Sequence, residues 1–355
     1  MTLKPLITDL TYDELKQHIK QSGQPDYRVE QIWVAVYQTL HSGFDQISTL
    51  PADLRRELAE NFDFNALTPV RSIQSKDGQT TKTLFKLRDN HPIEVVLMRY
   101  KDRKTLCISS QSGCGMACSF CATGQMGLRR NLISGEIVDQ VLYFSRLLHQ
   151  EGDSLTNVVV MGMGEPFQNY ENVMVALDRL NESNGFGMGA RRFTISTVGL
   201  VPEIIAFAKA GTQYNLAVSL HSVDDHVRSK LIPINKKYPV ERLMEACRYY
   251  VQMTNRRVTF EYALIDGVND SVSDAVALSE KLQGLICHVN LIPLNPTPGF
   301  GAVPPDSLSI GAFCETLEMN HISCSIRLRR GVDIQAGCGQ LAVEDIEQSG
   351  ETKGI

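Results

Sequence analysis

Apolar and polar positions divide the 355-residue chain into a short helical part followed by a long alternation of strands and helices. Helical periodicity runs through residues 11–22 and 27–41, where Tyr27, Ile32, Val36 and Leu40 fall near one face. Residues 45–61 add LPADLRRELAENF, with Pro51 where a first helical turn tolerates proline. From Ser72 the spacing changes to alternation, in TTKTLFKL (80–87) and PIEVVLMRY (92–100), and this predicts a strand pair bounded by Asp77-Gly78 and Asp89-Asn90. From Arg103 onward, β-type runs such as TLCISS, NVVVMGMG, RRFTISTVG, YNLAVSLHS, RVTFEYALI and HVNLIPLNP alternate with helix-length segments such as GEIVDQVLYFSRLLHQ and VERLMEACRYYVQ. Six or seven such repeats call for a parallel sheet with helices outside it. The predicted fold is α/β: a partial (β/α)6-type barrel core at 100–333, a small, mainly helical N-terminal domain at 1–95 with a short strand-containing linker, and a tail at 334–355. In such barrels chemistry gathers at the C-terminal strand ends.

Length allows about two domains and a large core. Nine cysteines and an N-terminus without an apolar signal segment point to a reducing, cytoplasmic setting. No apolar run reaches the roughly 18–20 residues that span a bilayer, so no membrane is expected. A net charge of -5 gives no hint of nucleic acid. Basic residues are nonetheless grouped at 101–104, Arg129-Arg130, Arg191-Arg192, Lys236-Lys237, Arg256-Arg257 and 327–330. Each group alone reads as solvated surface; together they form a phosphate-contacting face only if the fold joins them.

Three cysteines, Cys114, Cys118 and Cys121, stand in SGCGMACSFCATG with the spacing C-x3-C-x2-C. A 4Fe–4S cluster has four irons, so three thiolates leave one iron open to a ligand that is not protein, which implies chemistry rather than electron storage. Structural zinc is the competing reading. It usually draws four ligands from paired spacings, and here the next cysteine is Cys247, so a local fourth ligand is missing. Small residues among the thiols suit a loop wrapped on a compact inorganic body, which favours the cluster.

Downstream, MGMGEP (161–166) offers Gly162 and Gly164 for close backbone approach and Glu165 as a carboxylate for a cationic amine. Ser196, Ser219, His221 and Asn295 end later strands and carry groups suited to ribose and carboxylate recognition, although each alone reads equally well as a turn or cap residue. Cys338 lies between two glycines in RRGVDIQAGCGQL (329–341), a setting for a thiol that must meet a partner. Cys247, Cys287, Cys314 and Cys324 sit in apolar patterned segments and read as core, as by default does Cys107.

Taken together and in order, QPDYRVEQIW, IEVV, CISSQSGCGMACSFCATG, MGMGEP, TISTVGLVPEI, AVSLHS, PINKKYP, VNLIPLNPTPG and DIQAGCGQL cover nearly the whole chain. As a set they resemble the radical SAM RNA adenosine methyltransferases, the RlmN/Cfr family. The resemblance implies that Cys114, Cys118 and Cys121 hold a 4Fe–4S cluster and that Gly164, Glu165, Ser196, Ser219, Leu220, His221 and Asn295 contact S-adenosylmethionine, two molecules of which are used per turnover. It makes Cys338 the residue that accepts a methyl group, Glu94 a proton acceptor and Cys107 the thiol that pairs transiently with Cys338.

In the implied mechanism a 5'-deoxyadenosyl radical removes hydrogen from the methyl on Cys338, the methylene radical adds to adenine, the adduct loses an electron and a ring proton with the help of a base, and Cys107 then attacks the Cys338 sulfur, releasing methylated RNA as a disulfide forms. GMGEP and PLNPTPG look closer to the C2-methylating RlmN branch than to the C8-methylating Cfr branch. One departure stands out: the family commonly has Asp-Ala-Ala-Cys where this chain has Gln335-Ala336-Gly337-Cys338. The implied partners are RNA, large-subunit (23S) ribosomal RNA first and transfer RNA second, and an electron donor such as flavodoxin, with the protein a monomer. Two other classes compete: an RNA-binding module with a structural cluster, and a radical SAM enzyme for a small molecule, against which Cys338 and the N-terminal part both count.

Overall fold

In the computed structural model, which describes residues 3–327 and 329–342, the N-terminal periodicity becomes three helices, α1 (Tyr12–Gln21), α2 (Tyr27–Tyr37) and α3 (Ala52–Asn61). Helix α1 opens on a capping box in which Thr11 Oγ1 accepts from the Glu14 N–H at 3.1 Å and the Glu14 carboxylate accepts from the Thr11 N–H at 2.7 Å. Leu15 and Ile19 of α1 join Val29, Ile32, Trp33 and Val36 of α2 and Leu54 and Leu58 of α3 in one buried core. Of the tail expected at 334–355, residues 343–355 lie outside the described part.

Three antiparallel strands follow, β1 (Leu67–Gln74), β2 (Thr80–Leu87) and β3 (Pro92–Tyr100). The last two are the predicted pair. Strand β1 begins before the alternation at Ser72 because it is a sheet edge: beyond Leu67 most of its residues are exposed, which leaves no apolar rhythm to read. Strand β4 (Arg103–Ile108) turns back on β3, and a small hairpin of β5 (Gln111–Gly113) and β6 (Leu128–Asn131) frames the cysteine loop, which exits through the short helix α4 (Ala122–Gln125).

The repeats then run α5 (Ser134–Gln150), β7 (Asn157–Val160), α6 (Tyr170–Asn181), β8 (Phe193–Thr197), α7 (Val201–Ala210), β9 (Asn215–Ser219), α8 (Asp225–Leu231), α9 (Val240–Thr254), β10 (Val258–Leu264), α10 (Val272–Leu282), β11 (Cys287–Pro293), α11 (Ser307–Met319) and β12 (Cys324–Ile326). The main sheet has the order β1-β2-β3-β4-β7-β8-β9-β10-β11-β12 and is parallel from β4 to β12. Val158, Phe193, Ile195, Leu216, Val218, Phe260 and Leu291 are fully buried, as a parallel sheet covered on both sides requires. Among the described residues β1 and β12 do not pair with each other, so the barrel stays open.

The helical part is tied to the sheet's outer helices by buried polar groups. Asp9 accepts from the Gly135 N–H of α5 at 2.8 Å, and Asp139 of α5 accepts from the N–H groups of Ala66 and Leu67 at 2.7 and 3.2 Å. Arg179 of α6, 4% exposed, donates to the Leu10 carbonyl and lies 5.1 Å over the Trp33 ring. No described helix is long and apolar enough to cross a membrane. Replacing Arg179 strands buried acceptors and a ring face together, so Arg179→Met should lower the unfolding free energy by about 2–4 kcal/mol, measurable in urea.

Candidate active site

The cysteine loop is shaped by its backbone before any ligand is considered. Gly113 has a φ of 76°, and a Cβ there would collide with the Gly127 carbonyl oxygen, so the strand can turn into the loop only as glycine. The loop is then anchored through Cys114 N–H to Gly127 O at 2.9 Å, Ser119 N–H to Leu231 O at 3.0 Å and Thr297 Oγ1 to Phe120 O at 3.1 Å. Cys114 and Cys118 are buried and Cys121 is half-buried. Burial pushes all three thiols up, Cys114 to about 12, and charge on one would oppose charge on the next. Three thiols that repel one another as thiolates need a cationic group among them. Among the described residues no three His, Cys, Asp or Glu side chains converge on a single-ion site. A cubane cluster, by contrast, takes each thiolate at a separate corner, and three thiols of one loop lining one cleft are the donor set it asks for.

Above the loop, the strand ends of β4, β7, β8, β9, β10 and β11 enclose a cleft lined by Cys107, the three loop cysteines, Gly164, Glu165, Ser196, Ser219, His221, Asn295 and Cys338. Gly164 (φ 106°) is forced: a Cβ would lie 2.6 Å from Gln111 Cβ, so its missing side chain faces protein while its peptide borders the cleft. Glu165 is 2% exposed and spans two strand exits, Oε1 accepting from the Phe167 N–H at 3.0 Å and Oε2 from the Val198 N–H at 2.9 Å. Burial pushes its carboxyl up to about 7 against those hydrogen bonds. His221 accepts from the Ala263 N–H through Nδ1 at 2.8 Å, which leaves its proton on Nε2. Burial, then Arg228, push it down to about 3, so the ring stays neutral. Leu220 is fully buried behind the wall, its N–H bonded to Glu261 O and its carbonyl to Arg228 Nε.

The C-terminal segment closes the cleft. Gly339 O accepts from the Ala122 N–H at 2.8 Å, Leu341 O from Thr123 Oγ1 at 2.6 Å, Cys338 O from Asn295 Nδ2 at 3.2 Å, and Pro296 O from Gln340 Nε2 at 2.8 Å. Cys338 is thereby held on the same cleft as Cys107, whose thiol is pushed up to about 12, by burial first and by Cys338 second, with Arg327 opposing. A Cβ on Gly337 would sit 2.6 Å from Asn295 Nδ2, so the departure from the family's usual alanine matches a tighter seat for Asn295. Glu94 is set back from the cleft: Val96 and Met98, on the same face of β3, line it, while Glu94 is buried in an ion pair with Lys82 at 3.0 Å. Lys82 also donates to Gln335 O at 3.2 Å, which links that pair to the C-terminal segment.

Three residues that the sequence reading passes over belong to this site. Arg228, 1% exposed on α8, donates to Leu220 O, Val198 O, Ser219 O and Asn235 Oδ1 at 2.7–3.0 Å, pinning the exits of β8 and β9 together. Glu261 and Arg327 both line the cleft and pair at 3.7 Å. Arg327 stands only in a basic group read as solvated surface, Glu261 is a lone carboxylate in the apolar run VTFEYAL, and the cue for Arg228 is its i,i+3 spacing to the buried Leu231.

Comparison with known proteins agrees with this geometry. The Radical SAM superfamily model matches residues 108–278, and the model of the Ribosomal RNA large subunit methyltransferase N-terminal domain matches residues 7–63. An open, largely parallel sheet with a three-cysteine loop at its strand ends, matched by that superfamily, defines a radical SAM enzyme, whose cofactors are a 4Fe–4S cluster and S-adenosylmethionine. The chain is 45% identical over 333 residues to the dual-specificity RNA methyltransferase RlmN 1 of Myxococcus xanthus, covering 94% of this chain and 93% of that one. It is 43% identical over 342 residues to the probable dual-specificity RNA methyltransferase RlmN of Staphylococcus saprophyticus, covering 96% and 94%. A crystal structure of a radical SAM methyltransferase from Sphaerobacter thermophilus superposes with a TM-score of 0.93 at 50% identity, over 95% of this chain and 98% of that one. The chain belongs to the RlmN family of radical SAM RNA methyltransferases.

Burial of Glu165 has a measurable sign. Its folded value, about 7, lies above the ordinary 4.5, so the folded chain holds this proton more tightly and stability falls as pH rises through that window. Between pH 5 and 8 the ligand-free protein should lose on the order of 2 kcal/mol relative to Glu165→Gln, in paired urea titrations.

Proposed function

We propose that this protein methylates a ring carbon of adenine in RNA, C2 rather than C8, with Cys338 as the methyl carrier. The observation that carries this reading is the placing of Cys107 and Cys338 on one cleft with the three-cysteine loop. A small-molecule enzyme needs no such thiol pair, and a structural cluster needs no cleft. The match of residues 7–63 to a ribosomal RNA methyltransferase domain supports large-subunit ribosomal RNA as substrate, and the dual specificity in the relatives' names supports a second RNA, which we take to be transfer RNA. Residues 1–95 would grip the RNA, residues 100–333 form the catalytic core, and the tail from 334 brings in Cys338. The protein would act in the cytoplasm as a monomer.

Cys114, Cys118 and Cys121 would hold the cluster. Gly164, Glu165, Ser196, Ser219, His221 and Asn295 would face S-adenosylmethionine, and Leu220 would brace that wall from behind. When bound, these groups supply the methyl group and the radical chemistry that a non-nucleophilic ring carbon requires. The chain's own part is to carry and to release. The Cys338 sulfur takes the methyl group, and once alkylated it bears no charge, which removes one cause of the raised Cys107 value. Glu94, which pairs with Lys82 at 3.0 Å behind the cleft-lining Val96 and Met98, would accept the ring proton. Cys107, as thiolate, attacks the sulfur of Cys338; the S–S bond forms, the carbon–sulfur bond breaks, and its electron pair stays with the methylated base, which takes up a proton. A thiol reductant returns the disulfide to two thiols, and an electron donor such as flavodoxin reduces the cluster.

Without Cys107 the last step has no nucleophile, so Cys107→Ala should accumulate RNA covalently joined through Cys338, visible as a shifted band on a denaturing gel. Cys338→Ala should form neither adduct nor product. With burial, the larger cause, still holding the Cys107 thiol well above its ordinary value after Cys338 is alkylated, release in the native enzyme should quicken close to tenfold per pH unit between about 7 and 9, followed by rapid quench. Mass mapping of adenosines in RNA from cells with and without the gene tests the assignment itself: 2-methyladenosine should disappear with the gene, and its persistence at every site would overturn the C2 reading.

A further inference from the structure

Two of the basic groups dispersed along the sequence meet at the mouth of the cleft. Tyr100 ends β3 and pairs with Arg103, which opens β4. The guanidinium of Arg103 lies 4.5 Å from the Tyr100 ring centre, and that of Arg330, from the segment leading to Cys338, lies 4.4 Å from the same ring. Arg330 is further oriented by a bond to Arg99 O at 3.3 Å, and the neighbouring Arg329 by one to Asn295 Oδ1 at 3.3 Å.

These cations differ from many arginines elsewhere in the chain in what they lack. Arg99, Arg130, Arg146 and Arg179 each have a carboxylate within 3.4 Å. Among the described residues Arg103, Arg329 and Arg330 have none within 4.0 Å, although two of them are gathered on one ring where their charges repel. Such an arrangement is completed by an anion.

Position tells which anion. Val96, Met98 and Tyr100 line the cleft in succession along one face of β3, and Val96 is in register with Cys107. By strand rise this row spans about 13 Å, comparable to the length of a nucleotide. An adenine that reaches the Cys107–Cys338 end must leave its stack, and the phosphate of that nucleotide then arrives at Tyr100. Taking the RNA methyltransferase reading as its basis, we infer that Arg103 and Arg330, held on the Tyr100 ring, form a phosphate clamp for the RNA backbone beside the everted adenosine, with Arg329 at its edge.

The test uses the full chain with its cluster reconstituted and a stem-loop RNA substrate, with binding followed by fluorescence anisotropy across a KCl series. Arg103→Gln and Arg330→Gln should each weaken binding about 3- to 10-fold at low salt and flatten the slope of log K against log[KCl] by about 0.7–0.9, the share of one phosphate contact. Arg103→Lys and Arg330→Lys should keep the slope, and Arg248→Gln, on an outer helix and paired with Glu241, should match the unaltered protein. Gln variants with an unchanged slope in an enzyme that still methylates RNA would overturn the clamp alone. Failure of the unaltered protein to methylate any RNA would instead overturn the reading on which the clamp rests.

Discussion

The seating of residues 337–341 on the cysteine loop is the contact on which the site depends. On the strap's side most of the acceptors are backbone carbonyls: those of Gly339, Leu341 and Cys338 take bonds from the Ala122 N–H, Thr123 Oγ1 and Asn295 Nδ2, while Gln340 Nε2 donates to Pro296 O just past the end of β11. Carbonyl acceptors of this kind hold the strap without asking for particular side chains at residues 338, 339 and 341; the donors, apart from the Ala122 N–H, are the side chains of Thr123 and Asn295. Cys338 can therefore be fixed in place by a segment rich in glycine, a composition that would otherwise favour mobility. The same bonds make the floor and the roof of the cleft one unit, since α4, which receives the strap, is also the exit of the loop that carries the three thiols.

Burial of polar groups gives the cleft its chemistry. Glu165, His221 and Arg228 are each nearly inaccessible, and each is held by hydrogen bonds across strand exits rather than by an opposite charge. Groups in that state cannot reorganise cheaply, so the wall presents a fixed pattern of donors and acceptors. Arg228 matters most here, because its guanidinium collects carbonyls from three residues of two neighbouring strand exits that would otherwise be left bare at the sheet's end.

Much of this was legible in the sequence, and the reason is periodicity. The βα alternation, the β2–β3 pair and the three N-terminal helices carry apolar spacings that survive as buried faces. The cysteine triplet was legible because its spacing is short and local. Periodicity alone left Cys107 as core, because its place inside a strand has no local signature; the resemblance singled it out, and the structure sets it on the same cleft as Cys338, from the far end of the chain. Strand β1 escaped notice because an edge strand buries little. Arg228 escaped, and Arg327 was read only as part of a basic surface group, because charge in such segments is indistinguishable from solvated surface until the fold is known; Glu261, alone in an apolar strand, carried a signal that was passed over. The departure at Gly337 could be seen but not interpreted until Asn295 was placed against it.

The two thiols on the cleft are supplied by segments made at very different times. Cys107 and the loop cysteines are in place once the first strands of the sheet exist, whereas Cys338 follows β12. The strap that carries Cys338 also fastens the exit of the cysteine loop, so the thiol furthest along the chain reaches the cleft only where the loop is already shaped to receive it.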